Sequence, residues 1–192
     1  MALKILGGKL KNFVVKVIDS PDLRPTSVLL RRRIFDSKQD LSHYFFVDLC
    51  AGSGAMGIEA LSRNAHKIWL NEFSKNHFTT LLKNRQNLID LQQFDESQII
   101  VTHKNFIDIL PLISLENNEN DPVILFFDPP YKETKLYQDF FENFKQLSWP
   151  QGSEVWIEAS EENKDVLKIF ENAEKAFKYY QQGAKFICKM IL

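Results

Sequence analysis

The run Phe126-Phe127-Asp128-Pro129-Pro130-Tyr131 ends an apolar stretch on a carboxylate, two prolines and a phenol. Neither proline can donate a ladder hydrogen bond, and Pro129 restricts the backbone of Asp128. Asp128 and an outward-held Pro129 carbonyl would give two hydrogen-bond acceptors at a fixed separation. Pro130 stiffens the corner, and Tyr131 offers a face for stacking. Such a set suits an exocyclic amino group on a purine, a poor nucleophile because its lone pair is delocalised into the ring. Acceptors around the NH₂ draw that pair out of conjugation and aim it at an electrophile. For the tetrad alone, an ordinary strand-ending turn is the competing reading.

A second constellation lies upstream. In "DLCAGSGAMG", Gly52, Gly54 and Gly57 form G-x-G-x-x-G, and Glu72 follows Gly52 by twenty positions. Between a strand and a helix, such glycines permit a tight turn and close approach of a ligand, while the acid suits the two hydroxyls of a ribose. NAD and S-adenosylmethionine fit equally well, and a turn serving packing alone is the alternative. Asp48, ahead of the glycines, argues mildly against a dinucleotide, whose first strand is usually apolar up to them. A carboxylate there could face the positively charged amino-acid part of S-adenosylmethionine, or cap the loop backbone.

Strand–helix alternation must position these residues. Leu3–Leu6 and Phe13–Ile18 predict a small hairpin, and Thr26 or Ser27 predicts the cap of a helix to about Ser37. Strands are expected at 44–50, 66–72, 97–103, 122–128 and 153–159. Helices are expected over 55–64, Ser74–Leu88, Phe106–Ile113, Leu136–Phe144 and Asn163–Phe170, with 114–121 a polar loop. Two closing strands, Lys175–Gln181 and Lys185–Leu192, turn at Gly183. The pattern predicts an α/β fold: a doubly wound, mostly parallel seven-stranded sheet with an antiparallel C-terminal hairpin and a small N-terminal extension. Residues 1–38 would form the extension and 39–192 the main domain. The tip of the strand at 122–128 then faces the same crevice as the glycine loop, which disfavours the simple-turn reading.

With 192 residues, 44% hydrophobic, the chain can bury a substantial core, and no apolar run approaches the ~20 residues of a membrane span. Two cysteines without metal-ligand spacing predict a reduced, cytoplasmic protein. His43, His66, His77 and His103 also lack metal spacing, so no metal is expected; Cys50 reads as a packed residue. Residues 1–38 hold nine Lys/Arg against three Asp, a net of +6, leaving −7 elsewhere. That asymmetry is the footprint of a nucleic-acid contact, with a solvated basic face as the alternative.

The runs "DLCAGSGAMGIEALSRNA", "NE", Asn105-Phe106 and "DPPY" resemble class I S-adenosylmethionine-dependent methyltransferases acting on exocyclic amines. "KILGGKLKN" resembles R-I-I-G-G-x-x-R-G, and "LRPTS…RRRIF" resembles R-P-T-S-D-R-V-R-E-x-L-F. Together they resemble the RsmD-type family, which methylates the N2 of a guanine in small-subunit ribosomal RNA. The resemblance implies that Asp48 and the loop Ala51, Gly52, Ser53, Gly54 and Gly57 hold the methionine part. It gives Glu72 the ribose, with Phe73 beside it, and Asn105 with Phe106 the adenine. Asp128, Pro129, Pro130 and Tyr131 would hold the target base, Asp128 also touching the cofactor. Arg24, Pro25 and Thr26 would lie over the pocket and help meet RNA, with Lys4, Lys9, Lys11, Arg31, Arg32 and Arg33 as phosphate contacts. The chain departs from the family at Val28, Leu29 and Arg32, and has lysines and Asn12 for arginines near its start, which bears on how RNA docks.

The expected reaction is an in-line methyl transfer without a covalent enzyme intermediate, on a flipped or looped-out guanine. The partner would be ribosomal RNA in the small subunit or an assembly intermediate, and the enzyme a monomer. An N6-adenine methyltransferase uses the same D-P-P-Y chemistry. An NAD-dependent oxidoreductase explains the glycines but leaves Asp128–Tyr131 without a use, and an inactive RNA-binding module leaves the complete site without one.

Overall fold

Four strands with nearly continuous apolar sequence build the centre of the molecule. In the computed structural model, which describes residues 2–18, 26–117, 121–130, 133–163, 168 and 177–192, they are β3 (Phe45–Asp48), β4 (Lys67–Asn71), β6 (Val123–Phe127) and β7 (Glu154–Ser160). Every residue of β3, β6 and β7 is buried, as expected of parallel strands covered on both faces. β5 (Ile99–Thr102) and the closing hairpin β8 (Phe177–Gln182) and β9 (Lys185–Ile191) complete a seven-stranded sheet of order β5-β4-β3-β6-β7-β9-β8. The first five strands are mutually parallel, and β9 runs antiparallel to both β7 and β8.

From β3 the chain winds outward through β4 and β5, then returns to place β6 and β7 on the other side. That reversal opens a crevice at the carboxyl ends of β3 and β6. On one face Phe46, Phe126 and Trp156 pack under α1 (Val28–Asp36) and α2 (Ala55–Ser62), with Leu81 and Leu88 of α3 (Lys75–Ile89). On the other, Val47, Leu125 and Phe127 meet the aromatic face of α5 (Thr134–Phe144) and the apolar side of α4 (Phe106–Glu116). Among the described residues no helix is long and apolar enough to cross a membrane.

β1 (Ala2–Lys4) and β2 (Val14–Lys16) form the expected antiparallel hairpin, and it is not merely appended. Ile5, Leu10 and Val15 join Leu30, Ile34 and Phe35 of α1 in the same core as the sheet. Its Gly7-Gly8 turn sits on the end of α2. Buried Glu59 accepts from Leu6 and Gly7 N–H at 2.8 and 3.0 Å, and the Ser62 hydroxyl accepts from Leu10 N–H at 2.8 Å. Gly8 has φ +73°, and a Cβ there would fall 1.9 Å from the Ser62 carbonyl oxygen. Arg63 closes the joint, donating from Nε to Glu59 at 3.1 Å. The E-A-L-S-R run thus receives the N-terminal turn.

Most element ends shift by one or two residues, and one helix runs farther than expected. α4 continues past Ile113 to Glu116, taking in residues assigned to the polar loop, although Pro111 lies inside it. The helix begins at Phe106 as expected, where the Asn105 side chain caps it by accepting from Ile107 N–H. Arg24, Pro25, Tyr131 and nearly all of the helix expected at Asn163–Phe170 lie outside the described residues.

Candidate active site

Four neighbouring strands deliver a carboxylate each to the crevice end of the sheet. Asp48 ends β3, Glu72 follows β4, Asp128 follows β6 and Glu158 lies near the end of β7. The register sets their heights: Asp48 stands beside Leu70 and Phe126, and Phe127 beside Ile157, so Asp128 and Glu158 come next on adjacent strands.

Asp48 is 1% exposed, and its Oδ1 has no hydrogen-bond partner among the described residues. Burial holds its carboxyl well above the usual carboxylate range; the Cys50 N–H that donates to it opposes this, and Glu72 and Glu158 add to the rise. A buried carboxyl with an unused oxygen beside other acids is a receptor for a cationic group. The Cys50 thiol is likewise pushed up, chiefly by burial and then by Asp48, Glu72 and Asp128. It stays protonated and packs, as expected.

The glycine turn is held by the acid that follows it. Glu72 accepts from Gly52 N–H through Oε2 and from Ser74 N–H through Oε1, each at 2.7 Å. Each oxygen keeps a second lone pair for a hydroxyl donor. Gly52 and Gly54 have φ +54° and +83°, conformations that glycine adopts without strain, and a Cβ on Gly54 would meet Leu81 Cδ1 at 2.7 Å. Gly57 serves packing: a Cβ there would lie 2.2 Å from Leu70 Cδ2, so the glycine seats α2 on β4. Ala51 and Ser53 line the turn, Ala51 N–H donating to the Asn71 carbonyl at 2.8 Å.

Phe73, next to Glu72 just past the end of β4, is 72% exposed. His103 fixes its backbone, with Nε2 2.8 Å from the Phe73 carbonyl and its ring stacked on Phe78 at 4.8 Å. Phe106 is placed differently from the resemblance. Its ring is buried against Phe127, with centroids 4.9 Å apart, so it offers no open face to an adenine. Asn105, exposed, spends its side-chain oxygen on the α4 cap.

At the β6 tip Asp128 is half-buried, Pro129 buried and Pro130 exposed. The Pro130 carbonyl accepts from Glu133 N–H at 3.0 Å ahead of α5, and no described residue donates to the Pro129 carbonyl. The Tyr137 hydroxyl donates to the Glu158 carbonyl at 3.1 Å, tying the helix after the tetrad to β7. Burial, then Asp128, raises its pKa, so it remains a donor.

The basic residues separate. Lys4, Lys9, Lys11, Arg32 and Arg33 are exposed, with Arg33 Nη1 donating to the Gln181 carbonyl at 2.5 Å. Arg31, expected at a phosphate, is 1% exposed and donates from Nη2 to the Lys4 carbonyl at 2.7 Å. It lies in the core beside Ile34 and Phe35, so it joins α1 to the hairpin and is not on the surface. Thr26 is also turned inward, onto Glu158.

Three polar residues to which sequence reasoning assigned no role organise the site. Asn71, fully buried, donates to the Leu49 and Lys104 carbonyls and accepts from Thr102, joining the tips of β3, β4 and β5. Asn84 donates to the Ser53 and Lys16 carbonyls, linking α3 to the glycine turn and the hairpin. Glu158 is the third. Their signal is a polar residue on an otherwise apolar strand or helix face.

Residues 3–189 match the family described as Conserved hypothetical protein 95. The ribosomal RNA small subunit methyltransferase D of Buchnera aphidicola subsp. Acyrthosiphon pisum is 32% identical over 170 residues, covering 85% of this chain and 81% of that protein. The protein of the same name from Escherichia coli (strain K12) is 28% identical over 163 residues, covering 84% and 76%. The solved structure of the putative methyltransferase yhhF from Escherichia coli shares the fold, with a TM-score of 0.72 at 21% identity, covering 100% of this chain and 98% of that one. The chain belongs to the Conserved hypothetical protein 95 family, the RsmD-type methyltransferase family that its motifs resemble.

Proposed function

We propose that this protein transfers a methyl group from S-adenosylmethionine to the N2 amino group of a guanine in small-subunit ribosomal RNA. The observation that carries the reading is the unpartnered, buried Oδ1 of Asp48 on the ridge that ends in Asp128-Pro129. An ammonium would donate to that oxygen, while the positive charge of NAD sits on a ring nitrogen that has no hydrogen to donate. The names of the relatives support the ribosomal RNA substrate.

Bound there, S-adenosylmethionine supplies an electrophilic methyl carried on a sulfonium. Asp48 holds the ammonium, the Ala51–Gly54 turn lies along the methionine part, and Glu72 accepts from the ribose hydroxyls. Phe73 offers the ring face for the adenine, beside Asn105. Asp128 and the Pro129 carbonyl accept from the guanine amino group, turn its lone pair toward the methyl and hold it in line. Pro130 fixes the corner, and Tyr131 stacks on the flipped base. The amino nitrogen would take the methyl as its bond to the sulfonium sulfur breaks and S-adenosylhomocysteine leaves, and the Asp128 carboxylate would take the amino proton and pass it to water. Residues 1–38 are the RNA-contacting extension and 39–192 the transfer domain, acting as a cytoplasmic monomer on the subunit or its assembly intermediate. Lys4, Lys9, Lys11, Arg32 and Arg33 are the phosphate contacts.

The test separates base from cofactor. Asp128→Ala is expected to abolish labelling of methylation-deficient small subunits while calorimetric affinity for S-adenosylmethionine stays within a few-fold. Tight binding of NAD in place of S-adenosylmethionine would refute the reading.

A further inference from the structure

Glu158 is a carboxylate with no exposure in β7, a strand whose other residues are Glu154, Val155, Trp156, Ile157, Ala159 and Ser160. A buried acid of this kind costs folding free energy and contributes little net stability even when paired. Its contacts point to another use. Oε2 accepts from the Thr26 hydroxyl at 2.6 Å, and Oε1 faces Lys185 Nζ at 3.2 Å. The Glu158 carbonyl accepts from Tyr137 of α5, the helix that follows the Asp128–Tyr131 corner.

Thr26 directly precedes the cap of α1. The Ser27 hydroxyl accepts from Leu30 N–H at 3.1 Å and itself donates to Gln182 of β8. Farther along α1, Arg33 reaches the Gln181 carbonyl. Among the described residues, α1 and the two residues before it are therefore fastened at one point beside the transfer corner, through Thr26, and at two on the closing hairpin, through Ser27 and Arg33. The side chain of Glu158 takes one end of this link and its backbone takes the other.

We infer that Glu158 is a positioning residue for the RNA substrate: it latches Thr26, so Thr26-Ser27 and the basic residues of α1 stand at a set distance from Asp128-Pro129. The latch rests on the ribosomal RNA reading above. It acts through Thr26 and touches neither the base nor the methyl donor. Phosphates held by the α1 side would then present one nucleotide to the corner, and loss of the latch would loosen that register.

The experiment uses the full chain with Thr26→Val, Thr26→Ser, Glu158→Met and the Val/Met double variant. Initial rates are measured against the concentration of methylation-deficient small subunits, with calorimetry for S-adenosylmethionine. Thr26→Val removes only the donated hydrogen bond and is expected to lower kcat/KM for subunits about ten-fold with cofactor affinity unchanged. Thr26→Ser should recover most of that loss. The double variant should be no worse than Glu158→Met alone, because both changes break one link. Thr26→Val as active as the wild type, no recovery with serine, or additive losses would each overturn the latch. A wild-type protein that binds S-adenosylmethionine but leaves subunits unlabelled would instead refute the RNA reading on which it rests.

Discussion

Replacing Asp48 with asparagine should move stability and cofactor affinity in opposite directions. In the ligand-free protein the side chain is 1% exposed, Oδ1 has no partner, and burial and the nearby Glu72 and Glu158 carboxylates disfavour its ionised form. Its folded-state pKa therefore lies above the unfolded one. Between the two values the native chain holds a proton that the unfolded chain has lost, so stability falls as pH rises through that window and then stays level. Asparagine removes this loss, and its amide can donate toward the neighbouring acids. We expect a gain of about 1 kcal/mol in urea unfolding at pH 7, shrinking toward zero in acid. Affinity responds the other way. A hydrogen bond to a charged partner is worth about 1.5–3 kcal/mol, so S-adenosylmethionine should bind roughly 10- to 150-fold more weakly. Wild-type binding should release a proton at pH values below the Asp48 pKa, and affinity should rise with pH there; both effects should vanish in the variant. Calorimetry in buffers of different ionisation enthalpy measures the proton. A variant that is less stable than the wild type and binds equally well would refute the reasoning.

Gly57→Ala should destabilise the fold by about 1–3 kcal/mol, because the new methyl overlaps Leu70 Cδ2 at 2.2 Å and the core must shift. Thermal unfolding would show it, and undiminished cofactor affinity in the folded variant would separate packing from ligand contact. Arg31→Met should leave the salt dependence of subunit binding unchanged and stability within about 1 kcal/mol or higher, since a buried cation is exchanged for an apolar side chain. Lys9→Ala, at an exposed site, should weaken subunit binding and lower the slope of log K against log salt by about one. Equal slope changes for Arg31 and Lys9 would contradict the separation of the basic residues.

The parts of the site written in local pattern were legible from sequence. Strand, glycine turn, helix and the acid twenty positions on are neighbours along the chain, and the alternation of apolar runs carried the succession of the seven sheet strands along it. The missed parts are long-range. Glu158 meets Thr26 across 132 positions, Asn84 meets Lys16 across 68, and Glu59 meets Leu6 across 53, spans that no helix or strand period encodes. Arg31 illustrates a signal overridden by composition. Three consecutive arginines read as one basic patch, yet Arg31 stands three and four positions before buried Ile34 and Phe35, the spacing of an inward helix face. Phe106 follows the same logic, since an aromatic residue opening a helix can face the core as readily as a ligand.

The most direct test of the central claim is the identity of the methylated nucleoside. Small subunits lacking their methylation would be incubated with the protein and labelled S-adenosylmethionine, then digested and separated. The account predicts label in N2-methylguanosine, absent with Asp128→Ala. Label in N6-methyladenosine, or none from a protein that binds the cofactor, would contradict it.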